Sequence, residues 1–143
     1  MKKGYYITSY GERVELKPKE ILFLSGRKIT ELVIPEGVIC LYCDDNLLTK
    51  LTIPNSVETL FCRDNLLKEL IIISNSLKFL YCDNNKLTKL KLPNSLKFLD
   101  CENNKLTNLI LPDNLHEGYC DINTVDCMDK YRYNNSDIII IIA

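Results

Sequence analysis

The sequence predicts a solenoid of short parallel strands, in which the backbone completes a winding about every nineteen residues. Three observations carry that expectation. Cys43, Cys62, Cys82, Cys101 and Cys120 are separated by 19, 20, 19 and 19 residues, and a fixed period of this length is the mark of stacked repeats. Two places before each Cys stands Leu41, Leu60, Leu80 or Leu99, with Gly118 as the exception; this is the alternation of a strand with one buried face. Three places after each Cys stands Asn46, Asn65, Asn85, Asn104 or Asn123.

Each repeat is numbered from the Val or Leu five places before its Cys: Val38, Val57, Leu77, Leu96 and Leu115. Leu then recurs at position 4, Cys at position 6 and Asn at position 9. Position 11 is Leu48, Leu67, Leu87, Leu106 and Val125, and position 14 is Leu51, Leu70, Leu90, Leu109 and Met128. Pro54, Pro93 and Pro112 follow in three repeats.

Composition agrees with one soluble domain. The chain has 143 residues, 46% hydrophobic and 26% charged, which leaves enough apolar side chains for a core. Lys and Arg number 18 against 19 Asp and Glu, a net charge of −1. A nucleic-acid or anionic-membrane binder needs a basic excess, so neither partner is expected. The longest apolar run, Ile138–Ala143, is far short of the roughly twenty residues of a spanning helix. The N-terminus lacks the apolar stretch of a secretory signal, and a cytoplasmic address is expected.

The elements follow in order. Residues 1–18 are expected to form an N-terminal cap hairpin, with Tyr5–Thr8 and Arg13–Leu16 flanking a turn at Ser9-Tyr10-Gly11-Glu12. Residues 19–125 hold one weak repeat and five full ones, about six coils in all. The weak one places Leu22, Leu24, Ile29, Leu32 and Pro35 in register but has Arg27 where the Asn belongs. Within each strand, positions 4 and 6 face the core and positions 3 and 5 face out. The Asn at position 9 sits at a turn, where its amide can bond the loop backbone and form a ladder. The return leg, such as Leu87–Pro93, has too little room for a helix, and Pro93 would stop one. Residues 126–143 are a C-terminal cap. Placing Asp137 at position 1 puts Ile140 at position 4 and Ile142 at position 6, a final rung. A disordered tail and an exposed edge that pairs with another chain are the alternatives.

The segments LYCDDNLL, LFCRDNLL, LYCDNNKL and LDCENNKL resemble the L-x-L-x-x-N-x-L core of the leucine-rich-repeat family. The resemblance covers roughly residues 20–125, with a period slightly shorter than usual there. The phrasing LTKLKLPNSLK is similar to short repeats of secreted bacterial effectors and of large DNA viruses of amoebae. The resemblance implies a leucine-rich-repeat solenoid with parallel sheet on a concave side, extended segments opposite and little or no helix. It also implies a concave face that binds another macromolecule, and host cytoplasm as the address if the source is a virus or an effector-secreting bacterium. In the effectors a catalytic domain follows the repeats. Here too few residues follow Val125 for one, so that activity is not carried over.

Candidate chemistry is sparse. The Cys column is expected to be reduced and buried, since free Cys is a small hydrophobe, although stacked strands would place neighbouring Cys Cα atoms within the range a disulfide permits. Cys40 and Cys43 form a C-x-x-C match, but on a strand positions 3 and 6 face opposite ways, against a metal or redox pair. His116 has no nucleophile motif beside it. No catalytic residue, metal or cofactor is expected, and the chain is not expected to be an enzyme.

The outward strand positions are more informative. Phe23, Tyr42, Phe61, Tyr81, Asp100 and Tyr119 occupy position 5; Ile21, Cys40, Thr59, Phe79, Phe98 and Glu117 occupy position 3. Aligned rungs gather the aromatics into one stripe, a candidate binding surface. Cross-strand stacking alone and self-association are the competing accounts. Beside it, positions 7 and 8 hold Asp44, Asp45, Asp64, Asp83, Glu102 and Asp121, with Arg63 as the exception. An acidic edge would select a basic partner, with solvated acidic turns that meet no partner as the alternative; it is a poor calcium cage. Lys50, Lys86, Lys89, Lys91 and Lys105 mark a solvated opposite side. The expected function is therefore a non-catalytic protein-protein interaction module. It would bind through Phe23, Tyr42, Phe61, Phe79, Tyr81, Phe98 and Tyr119, with Asp44, Asp83 and Glu102 at the rim. The alternatives are a self-assembling or structural repeat protein, or an adaptor fragment of an effector. The oligomeric state stays open.

Overall fold

The computed structural model describes residues 3–73 and 75–121 and the strand Ile139–Ile142. It is a parallel β-solenoid, with no helix among the described residues and none long and apolar enough to cross a membrane. The strands are β1 (Gly4–Thr8), β2 (Arg13–Leu16), β3 (Ile21–Phe23), β4 (Ile29–Val33), β5 (Cys40–Tyr42), β6 (Lys50–Ile53), β7 (Thr59–Phe61), β8 (Glu69–Ile72), β9 (Phe79–Tyr81), β10 (Phe98–Asp100), β11 (Glu117–Cys120) and β12 (Ile139–Ile142).

One sheet holds seven parallel strands in the order β3-β5-β7-β9-β10-β11-β12. Its register places Leu22, Leu41, Leu60, Leu80, Leu99, Gly118 and Ile140 side by side, the position-4 column of the repeat. Five windings therefore separate β3 from β11. Leu41, Leu60 and Leu80 are fully buried, as are Val38, Val57, Leu77 and Leu96 at position 1. Cys43, Cys62, Cys82, Cys101 and Cys120 line the core behind them. A narrow coil has room there for a thiol, a small hydrophobe.

The turns explain the rest of the repeat. Val57 donates to the Pro54 carbonyl, Leu96 to that of Pro93 and Leu115 to that of Pro112, at 3.1–3.3 Å, so each Pro opens a tight turn. The backbone is left-handed at position 8: Gly26, Asp45, Asp64, Asn84 and Asn103 have φ of 69°, 53°, 50°, 55° and 52°. Only Gly, Asn and Asp adopt that conformation routinely.

The buried Asn at position 9 joins one winding to the one before. Asn65 Nδ2 donates to the carbonyls of Cys62 and Arg63 in its own coil and of Cys43 in the preceding coil; its Oδ1 accepts from Leu48 N at 3.1 Å. Asn46, Asn85 and Asn104 repeat the pattern, accepting from Ile29, Leu67 and Leu87. The ladder thus runs from amide to backbone, coil to coil.

At the N-terminal end, β1 pairs antiparallel with β2 and, on its other side, with β4. Tyr6 is buried against the core. Gly4 is required by close approach: a Cβ there would overlap Pro35 and lie 2.7 Å from the Val33 carbonyl. Among the described return legs, β6 and β8 are the ones that pair with each other, in parallel, with Lys50 Nζ 2.9 Å from Glu69. The leg Leu87–Pro93, expected to be extended, forms no ladder, although Leu90 is buried and Leu92 packs against the core. Asn123, Val125, Met128 and most of the C-terminal cap 126–143 lie outside the described residues, apart from β12.

Candidate functional site

Parallel strands about 4.8 Å apart in exact register force like side chains to stack. The rings at position 5 do so. Phe23 and Tyr42 have centroids 4.9 Å apart, Tyr42 and Phe61 4.5 Å, and Phe61 and Tyr81 4.4 Å, with planes within 15° of parallel. Asp100 interrupts the column. The ring of Phe98, from position 3 of the same strand, lies 4.8 Å from Tyr81 and 5.9 Å from Tyr119, tilted by 33° and 59°. The stripe is therefore a single ladder that shifts column at β10.

Stacking decides what the ladder presents. From Phe23 to Tyr81 the ring faces are covered by neighbouring rings, and ring edges point outward. Within that parallel stack, a sugar or base that binds by lying on a ring face finds the outer face of Phe23, which is 65% exposed. Elsewhere the surface is an apolar strip of edges. Phe79, 41% exposed, and Ile21, 49% exposed, widen it at position 3.

The acidic rim separates into three kinds of residue. Asp45 and Asp64 are exposed and sit on the left-handed backbone of position 8, which accounts for their residue type without a ligand. Asp44 and Asp121 bond backbone: Asp44 Oδ1 accepts from Arg63 N at 2.8 Å, and the two Asp121 oxygens accept from Asn103 N and Asn104 N. Asp83 and Asp100 surround Arg63, whose Nε is 2.9 Å from Asp83 Oδ1 and whose Nη2 is 3.4 Å from Asp100 Oδ2. The same guanidinium lies 4.7 Å over the Tyr81 ring. Burial pushes the carboxyls of Asp44, Asp83 and Asp100 above their ordinary range; Arg63 works against that shift at all three. Glu102 is half-buried at the rim, its carbonyl accepting from Asn84 N. Arg63 stands out in the sequence as the lone cation of the acidic column, and Asp100 as the lone break in the aromatic one. Their pairing across two strands needed the three-dimensional register.

Cys40, Cys43, Cys62, Cys82 and Cys101 are thiols outside any disulfide, and burial raises the pKa of Cys43, Cys62, Cys82 and Cys101 far above that of an exposed thiol, which makes them poor nucleophiles. Cys40 is half-buried on the outer surface while Cys43 is fully buried, so the C-x-x-C pair faces opposite ways. His116 is exposed. No metal-ligating group of three side chains occurs among the described residues. Compared with known protein families and with curated proteins, the chain matches none.

Proposed function

We propose that this chain is a non-catalytic binding module of the leucine-rich-repeat type, working in the cytoplasm, whose partner is a protein held against the aromatic ladder. The observation that supports it is the continuous apolar strip from Phe23 to Tyr119 on a sheet surface whose outward positions would ordinarily be polar. Carboxylates at Asp44, Asp83 and Glu102 border the strip and favour a basic partner. Rings that served only to stack would account for Phe23, Tyr42, Phe61, Tyr81, Phe98 and Tyr119. They do not account for Phe79, which is exposed beside the ladder.

Phe79 is for that reason the residue to test. Affinity capture from the native cell with the wild-type chain, Phe79→Ala and the opposite-face control Lys89→Ala should recover a common partner with the first and last only. The melting temperature should be the same for all three. A partner set unchanged by Phe79→Ala would refute the proposed surface.

A further inference from the structure

The seven-stranded sheet ends at β3, and its outer edge is a second surface. Leu24 N donates to the Tyr42 carbonyl, and the Glu20 carbonyl accepts from Cys40 N. Backbone groups alternate along a strand, so the N–H and C=O groups of Ile21 and Phe23 point away from β5. The Phe23 ring has Tyr42 on one face and open space on the other. A hollow of about 370 Å³ adjoins this edge, lined by Glu15, Leu16, Lys17 and Lys19 together with β3.

The cap makes the edge recessed. β3 and β4 belong to the same first winding, but β4 is followed outward by β1 and β2. The far side of the solenoid thus extends two strands beyond the point where the β3 sheet stops. The flat end of another solenoid meets that hairpin before it reaches β3, whereas a single extended segment fits the step.

We propose that β3 captures an extended peptide segment of a partner protein as an added parallel strand, with an aromatic side chain stacked on Phe23. Edge addition supplies backbone hydrogen bonds and alternate side chains supply selectivity. The chain's own rungs show the chemistry that fits. Lys78, three residues before Tyr81, reaches Glu58 at the same position of the neighbouring rung, 2.7 Å away. Glu20 is exposed at that position in the first rung. The captured segment therefore carries a basic residue three places before its aromatic one, so that the cation meets Glu20 and the ring meets Phe23. This site depends on the ladder reading only through Phe23. A partner lost in Phe79→Ala tests the strip, and the edge is tested separately.

The probe is a labelled synthetic peptide of residues 76–86 with Cys82→Ser, titrated into the full chain and followed by fluorescence anisotropy. Saturable binding is expected, with slower hydrogen exchange at the amides of Ile21 and Phe23. Phe23→Ala should weaken binding about tenfold, the loss of one aromatic pair and its buried area. Ile21→Pro removes an outward donor that β5 does not use, a tolerated change on an edge, and should abolish binding at unchanged melting temperature. Phe79→Ala should bind as wild type. Equal binding of a scrambled peptide, or wild-type affinity in both Phe23→Ala and Ile21→Pro, would overturn the proposal. So would a dimer of the chain alone in sedimentation that Ile21→Pro dissolves, which would assign the edge to a second copy.

Discussion

The ring of Phe98 lies 4.8 Å from that of Tyr81, although the two residues belong to different columns of the repeat. Phe98 takes the place that Asp100 leaves open and reaches Tyr119 on the other side. It is thus the joint that keeps the ladder continuous. Phe98→Ala removes two ring contacts and a half-buried side chain, and should lower stability by about 2 kcal/mol. Phe79→Ala, on the same sheet position one strand away but outside the stack, should change it by less than about 0.5 kcal/mol. Urea unfolding midpoints at constant slope check the pair.

Asn65 ties two windings through one donor nitrogen and one acceptor oxygen. Asn65→Leu leaves the buried Leu48 N without its acceptor and removes one donor from the carbonyls of Cys43, Cys62 and Arg63, which keep Asn46 Nδ2, Asn85 Nδ2 and Asp45 N; it should cost about 1–3 kcal/mol. Asn65→Asp should cost more at neutral pH. Its carboxylate still accepts from Leu48 but faces three carbonyl oxygens with nothing to donate. Acidification protonates it and restores a donor, so the deficit of Asn65→Asp relative to wild type should shrink as pH falls. A deficit constant with pH would show that the amide's donor role is not what matters.

The fold was legible because its determinants are periodic. Cys, Leu and Asn columns each recur in a fixed register, and one winding predicts the next. The left-handed turn at position 8 was equally periodic, as Gly26, Asp45, Asp64, Asn84 and Asn103, but three residue types share that backbone preference and the charge of Asp45 and Asp64 drew attention to ligands instead. What the sequence could not show is aperiodic: Arg63 and Asp100 sit in different repeats and different columns, and nothing in their spacing links them. The same holds for the recess at β3, which arises because the cap adds strands to one sheet and not to the other.

Asp64→Gly should leave stability unchanged or raise it slightly, since Gly adopts positive φ without a Cβ clash. Asp64→Ala should cost about 1 kcal/mol. If the carboxylate mattered for itself, Gly and Ala would be equally harmful. Thermal unfolding of the two variants side by side distinguishes these outcomes.

The cysteines should divide by exposure and not by sequence motif. Cys40 is half-buried on the outer surface, while Cys43, Cys62, Cys82, Cys101 and Cys120 are buried. Of the six cysteines among the described residues, a thiol reagent applied to the native protein should modify Cys40 first. The five column residues should react together, and only at the rate at which the solenoid opens. Peptide mapping of the labelled protein against time is the measurement. Early labelling of Cys43 alongside Cys40 would contradict the opposed orientation of the C-x-x-C pair.

The group around Arg63 gives the protein a predictable response to acid. Burial raises the folded-state pKa of Asp44, Asp83 and Asp100. Between the ordinary carboxyl value of about 3.9 and those raised values the folded state binds more protons than the unfolded chain. Stability contributed by these three groups therefore increases as pH falls through the folded values and is complete below the unfolded one. Arg63→Met withdraws the cation that opposes the shift. Asp83 and Asp100 then remain partly buried without the guanidinium that pairs with both, and stability at pH 7 should fall by about 1–2 kcal/mol, a figure reduced for their partial exposure to solvent. The same variant should regain most of that loss on acidification, because protonation removes the unpaired charge. Asp100→Asn combined with Arg63→Met should flatten the pH profile. Unfolding free energies of wild type, Arg63→Met and the double variant from pH 7 to pH 4 would reveal it, and a loss in Arg63→Met that persists undiminished at pH 4 would mean that Arg63 acts by packing over Tyr81 and not by charge.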